Sequence, residues 1–188
     1  MNTANKITIF RICLIPILII LLLVNRLPNR FFLALCVFLV AAFTDHLDGK
    51  IARQYGQITD FGKFLDPLAD KMLVMASFIC FVELNLVSAV PVIIILLREF
   101  LVTSIRLVAV NSGKVVAANM WGKIKTTSQI IAISVILFFQ CLQQNGLSIN
   151  LDFVKIINFI FIWISVLFTI LSGAIYVKEN LKFVKSQK

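Results

Sequence analysis

Four aspartates in one short stretch of the chain have a spacing that could support catalysis. Asp45 and Asp48 are three residues apart, and Asp66 and Asp70 are four residues apart. Residues at these intervals lie on the same face of an α-helix. Because glycines between the two pairs let the chain turn, two adjacent antiparallel helices could aim all four carboxylates into one pocket.

Carboxylates this close repel one another and need compensation. They could become protonated, form ion pairs with nearby lysines and arginines in a solvated loop, or bind divalent cations. Oxygen ligands without histidine or cysteine favour Mg²⁺, Mn²⁺ or Ca²⁺ over zinc. Two such ions can clamp the attacking and leaving oxygens of a displacement at phosphorus. The small residues Gly49 and Ala52 would let a diphosphate approach the backbone, and Arg53 would balance its charge.

The composition of the whole chain indicates an integral membrane protein. Of its 188 residues, 60% are hydrophobic and 14% are charged, whereas a soluble domain averages about a quarter charged residues. The opening apolar segment resembles a secretory signal but lacks a small-residue cleavage site, which favours a retained first span. The four cysteines have no metal-ligand or redox spacing. With no linker or repeat, we expect a single membrane domain over 1–188.

Six apolar segments are long enough to be spanning helices of about 20 residues. They are predicted at 7–25, 31–53, 64–84, 88–110, 121–143 and 154–177. The predicted fold class is therefore all-α, a polytopic membrane protein with six transmembrane helices. The second and third spans reach full length only if the aspartate segment lies at helix ends, near water.

The basic residues predict which side of the membrane the aspartates face. All lysines and arginines except Arg26, Arg30 and Lys155 fall at or near one face of the six-span arrangement. An excess of positive charge marks the cytoplasmic side, and the aspartates lie at that face. The net charge of +9 is thus explained without a nucleic-acid partner.

The aspartate segment resembles the signature of the CDP-alcohol phosphatidyltransferases. The matching pattern is Asp45-x2-Asp48-Gly49-x2-Ala52-Arg53-x8-Gly62-x3-Asp66-x3-Asp70, without a departure. The resemblance implies six membrane helices around a cytosol-facing polar cavity and a pair of divalent ions, Mg²⁺ or Mn²⁺. It also implies a CDP-linked donor, CMP as the leaving group and a homodimer.

Segments outside the signature resemble one bacterial branch of this family. They are "NKITIFR", "GKFLDPLADK", "REFLVTSIRL", "GKIKT" and "TILSGAIY". This resemblance implies CDP-diacylglycerol as the donor, glycerol 3-phosphate as the acceptor and a place in the bacterial cytoplasmic membrane. Other acceptors stay open, namely phosphatidylglycerol, as in cardiolipin synthesis, and an inositol phosphate.

The resemblance also implies roles for individual residues. Asp45, Asp48 and Asp66 would hold the metal pair, and Asp70 would share one ion and take the proton of the acceptor hydroxyl. The donor-binding residues would be Gly49, Ala52, Arg53 and Gly62. Apart from the resemblance, Lys63 is close enough to the signature to reach the donor phosphate, and Thr8 would contact the nucleotide if the first span packs on the site.

An anionic acceptor requires a cationic pocket, and four residues near the predicted cytoplasmic side are candidates. They are Arg98, Arg106, Lys123 and Lys125. Arginine binds phosphate as a fork, and lysine supplies a point charge. The alternative is ordinary positive-inside charge, with Arg98 paired to Glu99 or to another helix. Lys123 and Lys125 are about 200° apart on an ideal helix, so both can face one phosphate only if the backbone is irregular.

Two other classes of protein use acidic residues in membranes. An intramembrane prenyltransferase also places aspartates and Mg²⁺ on a diphosphate, but its first motif has a further acid where Ala52 stands. A cation transporter would place acids near mid-membrane, often in both halves of the chain. Here the acids cluster at one predicted face.

Overall fold

Six α-helices form the regular structure of the described chain. The computed structural model describes the backbone of residues 3–55, 60–111, 120–147 and 149–185, and the side chains within 8–44, 69, 71–107, 120–147 and 149–180. The helices are α1 (Thr3–Leu23), α2 (Arg30–Tyr55), α3 (Asp60–Glu83), α4 (Ala89–Asn111), α5 (Met120–Gln144) and α6 (Leu151–Lys185). Each predicted span coincides with one helix, with differences confined to the helix ends. The prediction of an all-α fold with six helices is confirmed.

The helices pack as two groups of three. Helix α1 packs against α2 and α3, helix α6 packs against α4 and α5, and α2 joins the two groups by packing against α5. Phe38, Phe78 and Ile133 are completely buried between the helices. Ala34 and Ala41 on α2 are also completely buried, and such small residues let neighbouring helices approach closely.

The C-terminal ends of α3 and α5 are closed by the same backbone motif. After α3, Asn85 has a φ of 56°, and the following amide donates to the Phe81 carbonyl at 2.9 Å. After α5, Gly146 has a φ of 82°, and the following amide donates to the Leu142 carbonyl at 3.3 Å. A left-handed residue in this position turns the chain back and satisfies carbonyls of the last helical turn.

Hydrogen bonds at the beginning of α2 connect it to the ends of α1 and α5. The Phe31 amide donates to Gln144 Oε1 at 3.2 Å, which links the start of α2 to the end of α5. Arg30 Nη1 donates to the Leu22 carbonyl in the last turn of α1 at 3.0 Å. The opposite end of the bundle, where α2 ends and α3 begins, is called the aspartate end below.

The outside of the bundle presents large apolar side chains. Leu97 and Phe100 on α4 and Phe159 and Leu167 on α6 are all more than half exposed. Among the residues that the structure describes, two helical segments are long and apolar enough to cross a membrane, Met120–Gln144 and Leu151–Asn180. Two shorter apolar helical segments are Thr8–Leu23 and Arg30–Thr44.

Candidate active site

The aspartates lie on the two helices that their spacing indicates. Asp45 and Asp48 are on α2, and Asp66 and Asp70 are on α3. Their side chains are outside the described part of the structure, so the backbone alone places them. The same holds for the other residues of the signature and its neighbour, which are Gly49, Ala52, Arg53, Gly62 and Lys63.

The aspartate positions continue the three- and four-residue spacing of buried residues on α2 and α3. On α2, buried Phe38 and Ala41 are followed at three- and four-residue intervals by positions 45 and 48. On α3, positions 66 and 70 precede buried Ala69 and Val74 by three and four residues. Residues at these intervals share one helix face. That the four carboxylates share one site at the aspartate end stays a prediction.

A second group of polar residues is fully described and connects α3, α4, α5 and α6. We call it the polar cluster, and its members are joined by hydrogen bonds or ion pairs. They are Lys71, Arg98, Glu99, Thr103, Lys125, Gln129, Thr169 and Ser172.

Glu99 is the centre of the polar cluster. Its side chain is 11% exposed, and its Oε1 atom lies 2.5 Å from Lys125 Nζ and 3.1 Å from Arg98 Nη1. One carboxylate oxygen of α4 therefore binds a cation of α5 together with a cation of its own helix. Charge-assisted hydrogen bonds of this kind are about twice as strong as neutral ones, and burial requires that the charges be paired.

Arg98 is held on a second side by α6. Its Nη2 atom donates to Ser172 Oγ at 2.6 Å. The neighbouring residue on α6 is Gly173, where an added Cβ would lie 2.9 Å from Arg98 Cγ. The arginine side chain thus occupies space that is open because residue 173 has no side chain. Arg98 pairs both with Glu99 and with another helix, as one alternative in the sequence analysis anticipated.

Lys71 connects the polar cluster to the aspartate segment. It directly follows Asp70 on α3, and its Nζ atom donates to Thr103 Oγ1 on α4. Thr103 Oγ1 in turn donates to the Glu99 carbonyl at 2.7 Å. Lys71, Glu99 and Lys125 also line one small cleft, together with Gln129. The cluster therefore begins one residue from the proposed base.

Helix α6 contributes a row of buried polar residues that the sequence analysis missed. Gln129 Nε2 on α5 donates to Thr169 Oγ1 at 3.4 Å. Thr169, Ser172 and Tyr176 are all buried, at intervals of three and four residues. This spacing in an otherwise apolar segment was the available signal. Glu99 was noticed only as a neighbour of Arg98, because nothing in the sequence pairs it with Lys125.

The four candidate acceptor residues occupy different environments. Lys125 is buried and Arg98 is partly buried, and both contact Glu99. Lys123 and Arg106 are exposed. Helix α5 is regular from Met120 onward, so Lys123 and Lys125 lie on different faces, as the ideal-helix angle indicates. The structure brings Arg98 and Lys125 together and leaves the other two on outer surfaces.

Helix α1 contributes two buried polar residues. Thr8 is 1% exposed, and Arg11, about one turn later, is completely buried. Because α1 packs against both aspartate-bearing helices, the first helix belongs to the surroundings of the site. Thr8 is one of the residues predicted from the sequence, whereas Arg11 is not.

Comparison with known proteins gives the same reading of the chain. A sequence model of the family described as CDP-alcohol phosphatidyltransferase matches residues 1–171. The chain belongs to the CDP-alcohol phosphatidyltransferase family. It is therefore an enzyme, and the transporter and prenyltransferase alternatives are set aside.

Curated relatives match this phosphatidyltransferase over nearly its full length. A protein of Bacillus subtilis (strain 168) is 42% identical and covers 98% of both chains. A protein of Rickettsia bellii (strain RML369-C) is 35% identical, and the match covers 97% of this chain and 97% of the relative. A protein of Rickettsia typhi (strain ATCC VR-144 / Wilmington) is 37% identical, and the match covers 94% of this chain and 96% of the relative. All three are named CDP-diacylglycerol--glycerol-3-phosphate 3-phosphatidyltransferase.

Proposed function

We propose that this protein transfers the phosphatidyl group of CDP-diacylglycerol to sn-glycerol 3-phosphate, which forms phosphatidylglycerophosphate and CMP. The names of the near-full-length relatives support this choice of donor and acceptor. The observation on this chain that carries the proposal is the group of buried and partly buried cations that begins directly after Asp70.

The charge of the polar cluster suits a phosphate monoester. The described members of the cluster comprise three cations, Lys71, Arg98 and Lys125, and one carboxylate, Glu99, which sum to a formal charge of +2. A phosphate monoester has a charge of about −1.5 to −2 at neutral pH. Arg98 and Lys125 would bind the acceptor phosphate.

The exposed cations would act at the edge of the same pocket. Arg106 and Lys123 are on α4 and α5, the helices that also carry Arg98 and Lys125. Their exposure suits attraction of an anionic substrate from solution more than fixed contact with it, because surface charge raises the local concentration of oppositely charged substrate.

The aspartates have the chemistry of a divalent metal site. Four carboxylates, spaced three and four residues apart on two neighbouring helices, are suited to hard cations such as Mg²⁺ or Mn²⁺. Asp45, Asp48, Asp66 and Asp70 would hold two ions. When bound, the ions supply positive charge for the diphosphate and for the phosphorus under attack.

The residues beside the aspartates would bind the CDP part of the donor. Gly49, Ala52 and Gly62 leave room for the diphosphate near the backbone. Arg53 and Lys63 would balance its negative charge, and the buried Thr8 on α1 would contact the nucleotide.

The reaction exchanges one phosphorus–oxygen bond for another. The acceptor hydroxyl oxygen attacks the lipid-side phosphorus, and the bond from that phosphorus to the CMP oxygen breaks with its electron pair. Asp70 orients the hydroxyl and accepts its proton. Arg98 and Lys125 would bind the acceptor phosphate and so hold the acceptor where its hydroxyl reaches the phosphorus.

We also propose how the enzyme sits in the cell. All six helices would cross the bacterial cytoplasmic membrane, with the aspartate end and its polar cavity facing the cytosol. The exposed leucines and phenylalanines of the outer surface favour contact with lipid, and the distribution of lysine and arginine favours this orientation. We further propose a homodimer, on the family resemblance alone.

CMP release by the purified protein tests the function. The enzyme is supplied with CDP-diacylglycerol and Mg²⁺, and CMP is measured with glycerol 3-phosphate, phosphatidylglycerol, an inositol phosphate or uncharged glycerol. The expected result is CMP release with glycerol 3-phosphate and formation of phosphatidylglycerophosphate. Release with phosphatidylglycerol or the inositol phosphate but not with glycerol 3-phosphate would contradict the proposed acceptor.

A further inference from the structure

Glu99 is an unexpected residue for a pocket that binds a negatively charged substrate. A carboxylate beside a phosphate repels it, and loss of the carboxylate alone would make the pocket more positive. A buried ion pair is also weak evidence for stability, because desolvation offsets the Coulomb attraction. The location of Glu99 therefore calls for another physical reason.

The contacts of Glu99 indicate that reason. Its Oε1 atom binds Lys125 Nζ at 2.5 Å and Arg98 Nη1 at 3.1 Å. Without a shared anion the buried Lys125 and the partly buried Arg98 would repel each other and separate. With it, both cations stay within hydrogen-bond distance of one point, which is the arrangement that a phosphate oxygen requires.

Further contacts hold Glu99 and Arg98 in place. Thr103 Oγ1 donates to the Glu99 carbonyl at 2.7 Å and accepts from Lys71 Nζ. Ser172 Oγ accepts from Arg98 Nη2 at 2.6 Å. Together with the ion pair to Lys125, these bonds connect Glu99 and Arg98 to three other helices, α3, α5 and α6. Preorganised polar groups bind a ligand without the cost of gathering them.

We propose that Glu99 is a positioning residue that holds Arg98 and Lys125 together as a ready-made binding pair for the acceptor phosphate. The inference rests on the proposed function and deepens it. Glu99 does not contact the reacting atoms. It acts on acceptor binding through the two cations, whereas the aspartates act on the donor and on the chemical step.

The position of Glu99 predicts a selective kinetic effect. Replacement by glutamine keeps the size of the side chain and removes its charge, so Arg98 and Lys125 lose the anion that they share. We expect KM for glycerol 3-phosphate to rise on the order of tenfold, the size seen when outer partners of polar ligands are removed. The KM for CDP-diacylglycerol and kcat should change by less than about twofold, since an interaction lost only from substrate binding changes KM.

Two further variants separate positioning from folding. Glu99→Asp retains the charge. It should raise KM for glycerol 3-phosphate by a smaller factor than Glu99→Gln does. Ser172→Ala removes the second partner of Arg98 without a change of charge, and should raise the same KM by a smaller factor. The matched control is Ser165→Ala, a buried serine on the same helix whose Oγ has no hydrogen-bond partner among the described residues. It should leave both KM values unchanged.

The experiment measures CMP release by the full-length protein in detergent or lipid nanodiscs, with each substrate varied in turn and the melting temperature recorded. The expected pattern is a KM increase restricted to glycerol 3-phosphate, largest in Glu99→Gln and reduced in Glu99→Asp. An unchanged KM in Glu99→Gln overturns the inference. So does a loss shared by both substrates together with a lower melting temperature, because it assigns Glu99 to folding only. If the unchanged enzyme does not use glycerol 3-phosphate, the proposed function fails instead.

Discussion

Arg98 on α4 lies across Gly173 on α6 and donates a hydrogen bond to Ser172 Oγ at 2.6 Å. The two helices are joined at a point where one contributes a long cation and the other contributes no side chain. The same arginine reaches Glu99, which holds Lys125. A packing contact between helices thus sets the position of a cation proposed to bind substrate.

Gly173→Ala should weaken acceptor binding by displacing Arg98. The added methyl group would lie 2.9 Å from Arg98 Cγ, and such overpacking costs about 1–3 kcal/mol. We expect KM for glycerol 3-phosphate to rise by about tenfold, the equivalent of about 1.4 kcal/mol, as measured by CMP release.

The control for this variant is Gly122→Ala on α5. A Cβ at Gly122 has no neighbour within 4 Å, and alanine in a helix is more favourable than glycine by about 0.5–1 kcal/mol. Activity should be unchanged and stability equal or higher. Equal activity in both alanine variants would show that Arg98 does not depend on the space at residue 173.

Lys125→Gln should impair acceptor binding far more than Lys123→Gln. Lys125 is buried against Glu99, whereas Lys123 is exposed on another face of α5. Loss of a buried charged hydrogen bond costs about 1.5–3 kcal/mol, which corresponds to a KM increase of about 10- to 100-fold for glycerol 3-phosphate. The two variants have the same chemistry, so the ratio of their KM values measures the effect of position. A larger effect at Lys123 would place the phosphate elsewhere.

Asp70→Asn should abolish turnover while some donor binding remains. Asparagine cannot accept the hydroxyl proton, and loss of a general base lowers kcat by about 10²–10⁴-fold. CMP release measures turnover, and equilibrium binding of labelled CDP-diacylglycerol measures the donor site. Asp152→Asn is the matched control, since the Asp152 side chain is exposed and pairs at the surface with Lys155 at 3.7 Å. Comparable CMP release in Asp70→Asn would remove the assignment of Asp70 as base.

Removal of divalent metal should stop the reaction. Chelation with EDTA should reduce CMP release to background, because the proposed site would then lack the positive charge that neutralises the donor diphosphate. Addition of Mg²⁺ or Mn²⁺ should restore it, and Ca²⁺, with its looser geometry, should restore it less well. Full activity in a dialysed, chelator-treated sample would contradict the metal site.

Gly146→Ala should lower stability without an effect on catalysis. Gly146 has a φ of 82° at the end of α5, away from the polar cluster. A residue with a side chain is strained in this conformation, at a cost of about 1 kcal/mol. Thermal unfolding in detergent should show a lower midpoint, while the KM for each substrate stays constant. An unchanged midpoint would mean that the turn after α5 adjusts freely.

The helices could be predicted from sequence because their signal is local. Apolar runs separated by polar breaks gave all six elements, and the bounds differ mainly where a charged end continues the helix. Helix α6 continues to Lys185, beyond the predicted end at 177. Charged residues stop a membrane span without stopping a helix, since backbone hydrogen bonds continue into water.

Sequence by itself also determined the family and the aspartate spacing, because both depend on residue types at short, fixed intervals. Tertiary structure alone decided the partners in the polar cluster. Arg98 and Ser172 are 74 residues apart in the chain, and Glu99 meets Lys125 only because α4 and α5 pack on α6. Contacts between helices depend on the angles at which the helices cross and on how each helix is rotated about its axis. The spacing of residues along a single sequence does not determine those angles.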